Sequence, residues 1–233
     1  MTQTTKNTDM TEISDNKASP CGLFIRLSEE VTGPDLLRKV REMFFVINHG
    51  PSRYKKNSHI LAIPRKMTST LSADHLKGYV EIAKSQGIVC LMEEDVQACS
   101  DHGADGVILN DLDSVSDCRN RLGDTAIIGL RCGNDIDLAE RAIEKGADFV
   151  TFHTSNGSMI DPKVAAVWST LSDKPCLLEG PFTNDYVAAY VTAGADFIEA
   201  GSYIWDHKEG VKQGTVNMIH AVELALQAPG KIN

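Results

Sequence analysis

Several short apolar runs in this chain are each followed at once by residues able to do chemistry. Glu93, Glu94 and Asp95 follow Ile88 to Met92, and Asn110, Asp111 and Asp113 follow Gly106 to Leu109. The bases Arg65 and Lys66 follow His59 to Ile63, while Arg131 and Asn134 follow Ala126 to Leu130. His153, Thr154, Ser155 and Asn156 come after Phe149 to Phe152, Glu179 and Gly180 after Cys176 to Leu178, and Gly201 and Ser202 after Phe197 to Ala200. Carboxylates beside bases suit a divalent metal held together with a phosphorylated ligand, since hard cations take oxygen ligands and bridge phosphates. His153, a histidine at the end of an apolar run, is of the residue type suited to acid–base work. Each charge taken alone also fits a solvated loop, and Glu93-Glu94-Asp95 fits the acidic first turn of a helix.

The elements that must position these residues are marked by a recurrence. Gly103-Ala104-Asp105, Gly146-Ala147-Asp148 and Gly194-Ala195-Asp196 each precede a short, largely apolar run. Glycine just past a helical pattern supplies the left-handed cap, and near-continuous apolar strands belong to parallel sheets covered on both faces. Strands are expected at Leu23 to Leu27 and at the seven runs named above. Helical spacing joins Leu76, Val80 and Ala83; Leu138, Ala142 and Ile143; and Val187, Ala188 and Val191. Val216, Ile219, Val222 and Leu226 give a closing helix, and Met43 to Ser58 reads as an extra strand and a basic loop with Arg53, Lys55 and Lys56. The alternation predicts an α/β fold, the (β/α)8 TIM barrel, whose active site gathers after the strands. A doubly wound open sheet is the alternative, disfavoured because no Gly-x-Gly-x-x-Gly follows a strand.

Composition narrows the class. Of 233 residues, 42% are hydrophobic and 24% charged, with a formal charge of −9. The pI near 5.2 argues against a nucleic-acid footprint. No apolar run approaches the ~18 residues of a membrane span. Residues 1–18 read as a disordered lead-in and 19–233 as one barrel domain. The six cysteines lack C-x-x-C spacing, which fits free thiols and a cytoplasmic location. Cys132 beside Arg131, Trp168 and Trp205 are expected to pack rather than react.

From Ile88 onward the chain resembles the thiamine-phosphate synthase family as a divergent bacterial member. The resemblance is carried by Gly103-Ala104-Asp105-Gly106-Val107, Ala126-Ile127-Ile128-Gly129 and Gly146-Ala147-Asp148-Phe149-Val150. It continues in Lys174-Pro175-Cys176 leading to Glu179-Gly180, and Ala193-Gly194-Ala195-Asp196 leading to Gly201-Ser202. It implies a transferase of thiamine biosynthesis joining hydroxymethylpyrimidine diphosphate to thiazole phosphate, with Mg²⁺ as cofactor. Glu94 and Asp113 fall on the family's metal ligands. Arg65 and Lys66 stand for its Gln-x-Arg-x-Lys; Arg131 and His153 complete the catalytic set, and Gly180, Gly201 and Ser202 the phosphate site. Partners are then phosphorylated pyrimidine and thiazole substrates, with neither nucleic acid nor membrane. Barrels of this family are often oligomeric, and Tyr203-Ile204-Trp205 is an expected homo-oligomer corner.

The departures from the family's pattern concern charge. Glu93-Glu94-Asp95 replaces Asn-Asp-Arg, the Pro-Thr-x-Thr-Lys loop after the sixth strand is missing, and Glu179 replaces a glycine. A carboxylate there opposes a phosphate, so Glu179→Gly is expected to tighten phosphate binding. Two other functions remain open: a tautomerase-like isomerase using His153 and Glu179, and a catalytically lapsed relative that binds a phosphorylated ligand or a partner.

Overall fold

The computed structural model describes residues 21–30, 33–50 and 59–227. Strands and helices alternate through β1 (Gly22–Arg26), α1 (Gly33–His49), β2 (Ile60–Ile63), α2 (Arg65–Thr70), α3 (Ala73–Ser85) and β3 (Val89–Glu93). The chain continues as α4 (Val96–His102), β4 (Gly106–Leu109), α5 (Ser114–Leu122), β5 (Ile127–Arg131), α6 (Ile136–Glu144) and β6 (Phe149–Phe152). It closes with α7 (Lys163–Leu171), β7 (Cys176–Leu178), α8 (Val187–Thr192), β8 (Phe197–Glu199), α9 (Gly201–Trp205) and α10 (Val211–Gln227). Each strand pairs in parallel with the next and β8 returns to β1, so the sheet is a closed eight-stranded barrel rather than an open doubly wound one.

The Gly-Ala-Asp repeat does more than end helices. Gly103, Gly146 and Gly194 have φ of 68°, 101° and 97°, which glycine enters without a Cβ penalty. Asp105, Asp148 and Asp196 then accept through Oδ2 the N–H groups of Cys90, Ile128 and Cys176 at 2.8, 2.8 and 2.9 Å. Each aspartate also donates its own N–H to the carbonyl of that same residue. The tripeptide thus staples β3 to β4, β5 to β6 and β7 to β8. At the first pair the place is taken by His59, whose Nδ1 accepts the Leu23 N–H at 3.1 Å. Burial lowers the His59 pKa to about 4, keeping that nitrogen an acceptor.

Inside the barrel, Phe24, Ile60, Ala62, Leu91, Ile108, Phe149 and Leu177 form a separate apolar plug. Gly129 makes room for it, since a Cβ there would lie 2.2 Å from the Phe149 ring. The larger core lies between strands and helices, where Trp168 packs edge-on to Phe152 at 5.8 Å and donates to the Lys174 carbonyl at 2.8 Å. All six cysteines are buried. Among the described residues no helix is long and apolar enough to cross a membrane.

Strand positions agree with the sequence to within one residue, but two readings are corrected. Met43 to Ile47 is no extra strand; it lies in α1, where Leu36, Val40, Met43, Phe44 and Ile47 make one buried stripe and Phe45 faces out. Three- and four-residue spacing outweighs the local apolar run. The closing helix buries Val211, Gly214, Thr215, Met218, Val222 and Ala225, so Val216 lies off the stripe. The expected basic loop of Arg53, Lys55 and Lys56, and the lead-in 1–18, lie outside the described residues.

Candidate active site at the barrel mouth

Side chains alternate across a strand, so the residue two beyond each plug residue also points into the barrel, one layer nearer its C-terminal mouth. From Phe24, Leu91, Phe149 and Leu177 that step leads to Arg26, Glu93, Thr151 and Glu179. From Gly129, the glycine that makes room for the plug, it leads to Arg131, and from Phe197, packed against the plug, to Glu199. The interior therefore changes from apolar to charged within one turn of the pleat.

These six side chains form one network. The Arg26 guanidinium reaches Glu93 Oε1 at 2.6 Å through Nε, Glu199 Oε1 at 2.5 Å through Nη1, and Glu179 through Nη2. Arg131 reaches Glu93 Oε1 at 2.5 Å through Nη2 and Glu179 Oε1 at 3.0 Å through Nε. Thr151 donates to Glu179 Oε1 at 2.6 Å, and the Gly180 N–H donates to Glu199 Oε2 at 3.1 Å. Trp205 donates to the Arg26 carbonyl at 2.7 Å, fixing the end of β1.

Two cations face three carboxylates in a largely buried space, which sets their ionisation. Burial raises the Glu179 pKa, but Arg131, Arg26 and the Thr151 hydroxyl outweigh it and hold the group below its ordinary value. Burial dominates at Glu199 and, opposed by Arg26 and helped by the Glu179 charge, lifts it to about 7. For Arg26 and Arg131 burial lowers the pKa, and the surrounding carboxylates more than reverse it.

Of the residues singled out by sequence, Glu93, Arg131, Glu179 and Gly180 join this network. Arg65 and Lys66 do not. Both are exposed at the start of α2, where Arg65 donates to the Glu94 carbonyl and lies 3.9 Å from Asp95, and Lys66 pairs with Glu29 at 2.8 Å. Asp113 is also exposed and pairs with Lys145 at 2.5 Å. Glu94 has φ 56°, the only positive value at a non-glycine among the described residues, and its Oε1 is buried without a partner. His153 is half-buried; its backbone N–H donates to the Gly133 carbonyl at 2.8 Å, and its Nδ1 is buried and unpartnered.

The β8 end departs further from expectation. Gly201 begins α9 with no room for a Cβ, which would stand 2.9 Å from the Arg26 carbonyl oxygen; Ser202 is exposed. At the expected oligomer corner Ile204 and Trp205 are buried against the chain's own barrel and Tyr203 is half-buried. Burial, with Asp135, raises the Cys132 thiol to about 12, so Arg131 does not activate it. Sequence reading missed Arg26, Glu199 and Thr151. The signal was a lone charge inside an apolar strand at inward parity, as in Leu23-Phe24-Ile25-Arg26 and Phe197-Ile198-Glu199.

With this geometry, residues 55–204 match the family model described as thiamine monophosphate synthase. The chain belongs to this family. It is 34% identical over 137 residues to the thiamine-phosphate synthase of Hyphomonas neptunium, covering 55% of this chain and 62% of that protein. To the Xylella fastidiosa thiamine-phosphate synthase it is 30% identical over 154 residues, covering 63% and 66%. The matches thus span just under two thirds of these relatives' length. A thiamine phosphate pyrophosphorylase from Pyrococcus furiosus has the same fold, with a TM-score of 0.70, 17% identity and coverage of 90% and 98%.

The resemblance places the expected metal ligands at Glu94 and Asp113. Among the described residues no group of three or more His, Cys, Asp or Glu side chains converges as a metal cluster. Mg²⁺ commonly takes only one or two carboxylates plus substrate phosphates. The buried, unpartnered Glu94 oxygen is a donor of the kind such a site uses, whereas Asp113 is exposed and paired with Lys145.

Proposed function

We propose that this chain joins hydroxymethylpyrimidine diphosphate to thiazole phosphate, giving thiamine phosphate and pyrophosphate. The thiazole nitrogen forms the new bond to the pyrimidine methylene carbon. The C–O bond to the diphosphate breaks with its electron pair leaving on pyrophosphate. The observation that carries this reading is the convergence of Arg26 and Arg131 with three carboxylates at the C-terminal mouth. Guanidinium groups stabilise a departing diphosphate, and preorganised carboxylates stabilise positive charge developing on the methylene. The apolar plug below closes the barrel to water.

Glu94 and Asp113 are the residues that would hold Mg²⁺, which when bound neutralises diphosphate charge. Arg65 and Lys66 stand on the same rim and reach a ligand by exchanging Asp95 and Glu29 for it. His153 offers an unpartnered Nδ1 to a polar group of the substrate. Gly180, Gly201 and Ser202 form the small-residue corner for the thiazole phosphate. The test is pyrophosphate release with both precursors and Mg²⁺. Release that needs both precursors supports the reading, and none above background refutes it. One observation favours a second reading, a ligand-binding relative without diphosphate chemistry: the Gly180 N–H is already held by Glu199. Precursor binding without release would select it.

A further inference from the structure

Loops after strands seven and eight of such barrels, with a short extra helix, commonly cradle a phosphate. Here the donors of that corner are Arg26 Nη1 and the Gly180 N–H, and Glu199 occupies both, at 2.5 and 3.1 Å, with one oxygen on each. A guanidinium and a backbone amide aimed at one carboxylate are the partners a phosphoryl oxygen would use. We propose that Glu199 is a built-in anion masking this phosphate cradle, and that it takes one proton from solvent and withdraws as a neutral acid when a phosphoryl group arrives.

Charge balance supports the exchange. Arg26 from β1 holds Glu199 together with Glu93 from β3 and Glu179 after β7, and Arg131 from β5 pairs with the latter two, so two cations meet three carboxylates. The following helix, α9, brings no charged side chain. Protonating one carboxylate balances the network and frees a guanidinium N–H and an amide for the incoming anion. Glu199 is the member suited to yield. Glu179 is held down by both arginines and a hydroxyl, whereas burial and its carboxylate neighbours already raise Glu199 to about 7. The inference rests on the mouth being a phosphate-handling site but not on turnover.

The test uses sulfate as probe, because its charge does not change near neutrality, and titrates the full chain by calorimetry. A group of pKa about 7 that must be protonated for binding makes the affinity about tenfold weaker at about pH 8 than at about pH 6. Repeating the titration in buffers of different ionisation enthalpy should show uptake approaching one proton per sulfate at the higher pH. Glu199→Gln should bind sulfate with no pH step. Glu179→Gln should keep the step but move it lower, because a like charge that raises Glu199 is gone. Affinity independent of pH in the natural chain, no sulfate binding at the lower pH, or an unchanged step in Glu199→Gln overturns the inference. Pyrophosphate release is measured separately, so loss of the transferase reading and loss of this one are distinguishable.

Discussion

Arg26 Nε lies 2.6 Å from Glu93 Oε1, tying β1 to β3 across the barrel mouth over the intervening β2. The same guanidinium holds Glu179 and Glu199, so it is the hub that lets three carboxylates share one small space.

Replacing that hub is therefore costly. Arg26→Met leaves three largely buried carboxylates facing Arg131 alone, and removing one partner of a buried ion pair costs about 3–5 kcal/mol. Urea unfolding of the variant should show this loss. A change below about 1 kcal/mol would mean the network is as loose as surface ion pairs.

Glu179→Gly removes an ionised carboxylate beside the small-residue corner and releases part of both arginines. Affinity for a phosphorylated thiazole should rise about tenfold, equivalent to ~1.4 kcal/mol. Unchanged affinity by calorimetry would place the phosphate elsewhere, and lost turnover without tighter binding would make Glu179 an acid or base instead.

The metal assignment is checked at Asp113. Diphosphate should bind more tightly with Mg²⁺ than without, Asp113→Ala should erase most of that difference, and Lys145→Ala should enlarge it by freeing Asp113 from its 2.5 Å partner. Equal diphosphate affinity with and without Mg²⁺ removes the metal site.

His59 links stability to pH. Its pKa is about 4 when folded against an ordinary 6.5, so the unfolded chain binds the proton first. Its contribution is full above 6.5 and is lost as pH falls towards 4. Glu199, raised from 4.5 to about 7, has the opposite sign: its contribution is full below 4.5 and lost as pH rises through 7. Comparing the natural chain with His59→Asp at each pH cancels the Glu199 share. The aspartate, used at the other three strand pairs, should move the acid loss below about pH 4, near the ordinary carboxylate range. An identical acid limb in both proteins would show that the Leu23 N–H bond does not govern it.

The sequence by itself determined the barrel. Gly-Ala-Asp followed by an apolar run states where a helix stops and a strand starts, because a left-handed cap and a doubly covered strand are local requirements. It also placed Glu93, Arg131, Glu179 and Gly180 at the mouth, since strand ends in a barrel share one rim. What only the tertiary structure decided was which charges meet. Arg26 and Glu199 are 173 residues apart; each is marked locally as a lone charge at inward parity in an apolar strand, but nothing local says that they meet. They become neighbours because closing the sheet sets β8 beside β1. Arg65, Lys66 and Asp113 follow strands just as Arg131 does, yet they point outward to Asp95, Glu29 and Lys145. Period-two alternation fixes which face a strand residue takes, and it carries one residue past β7 to Glu179, whose N–H still bonds the Phe152 carbonyl, but no further. Arg131 is still inside β5 and is aimed inward by the pleat; the other three lie two to four residues past their strands, where loop and helix geometry set their direction.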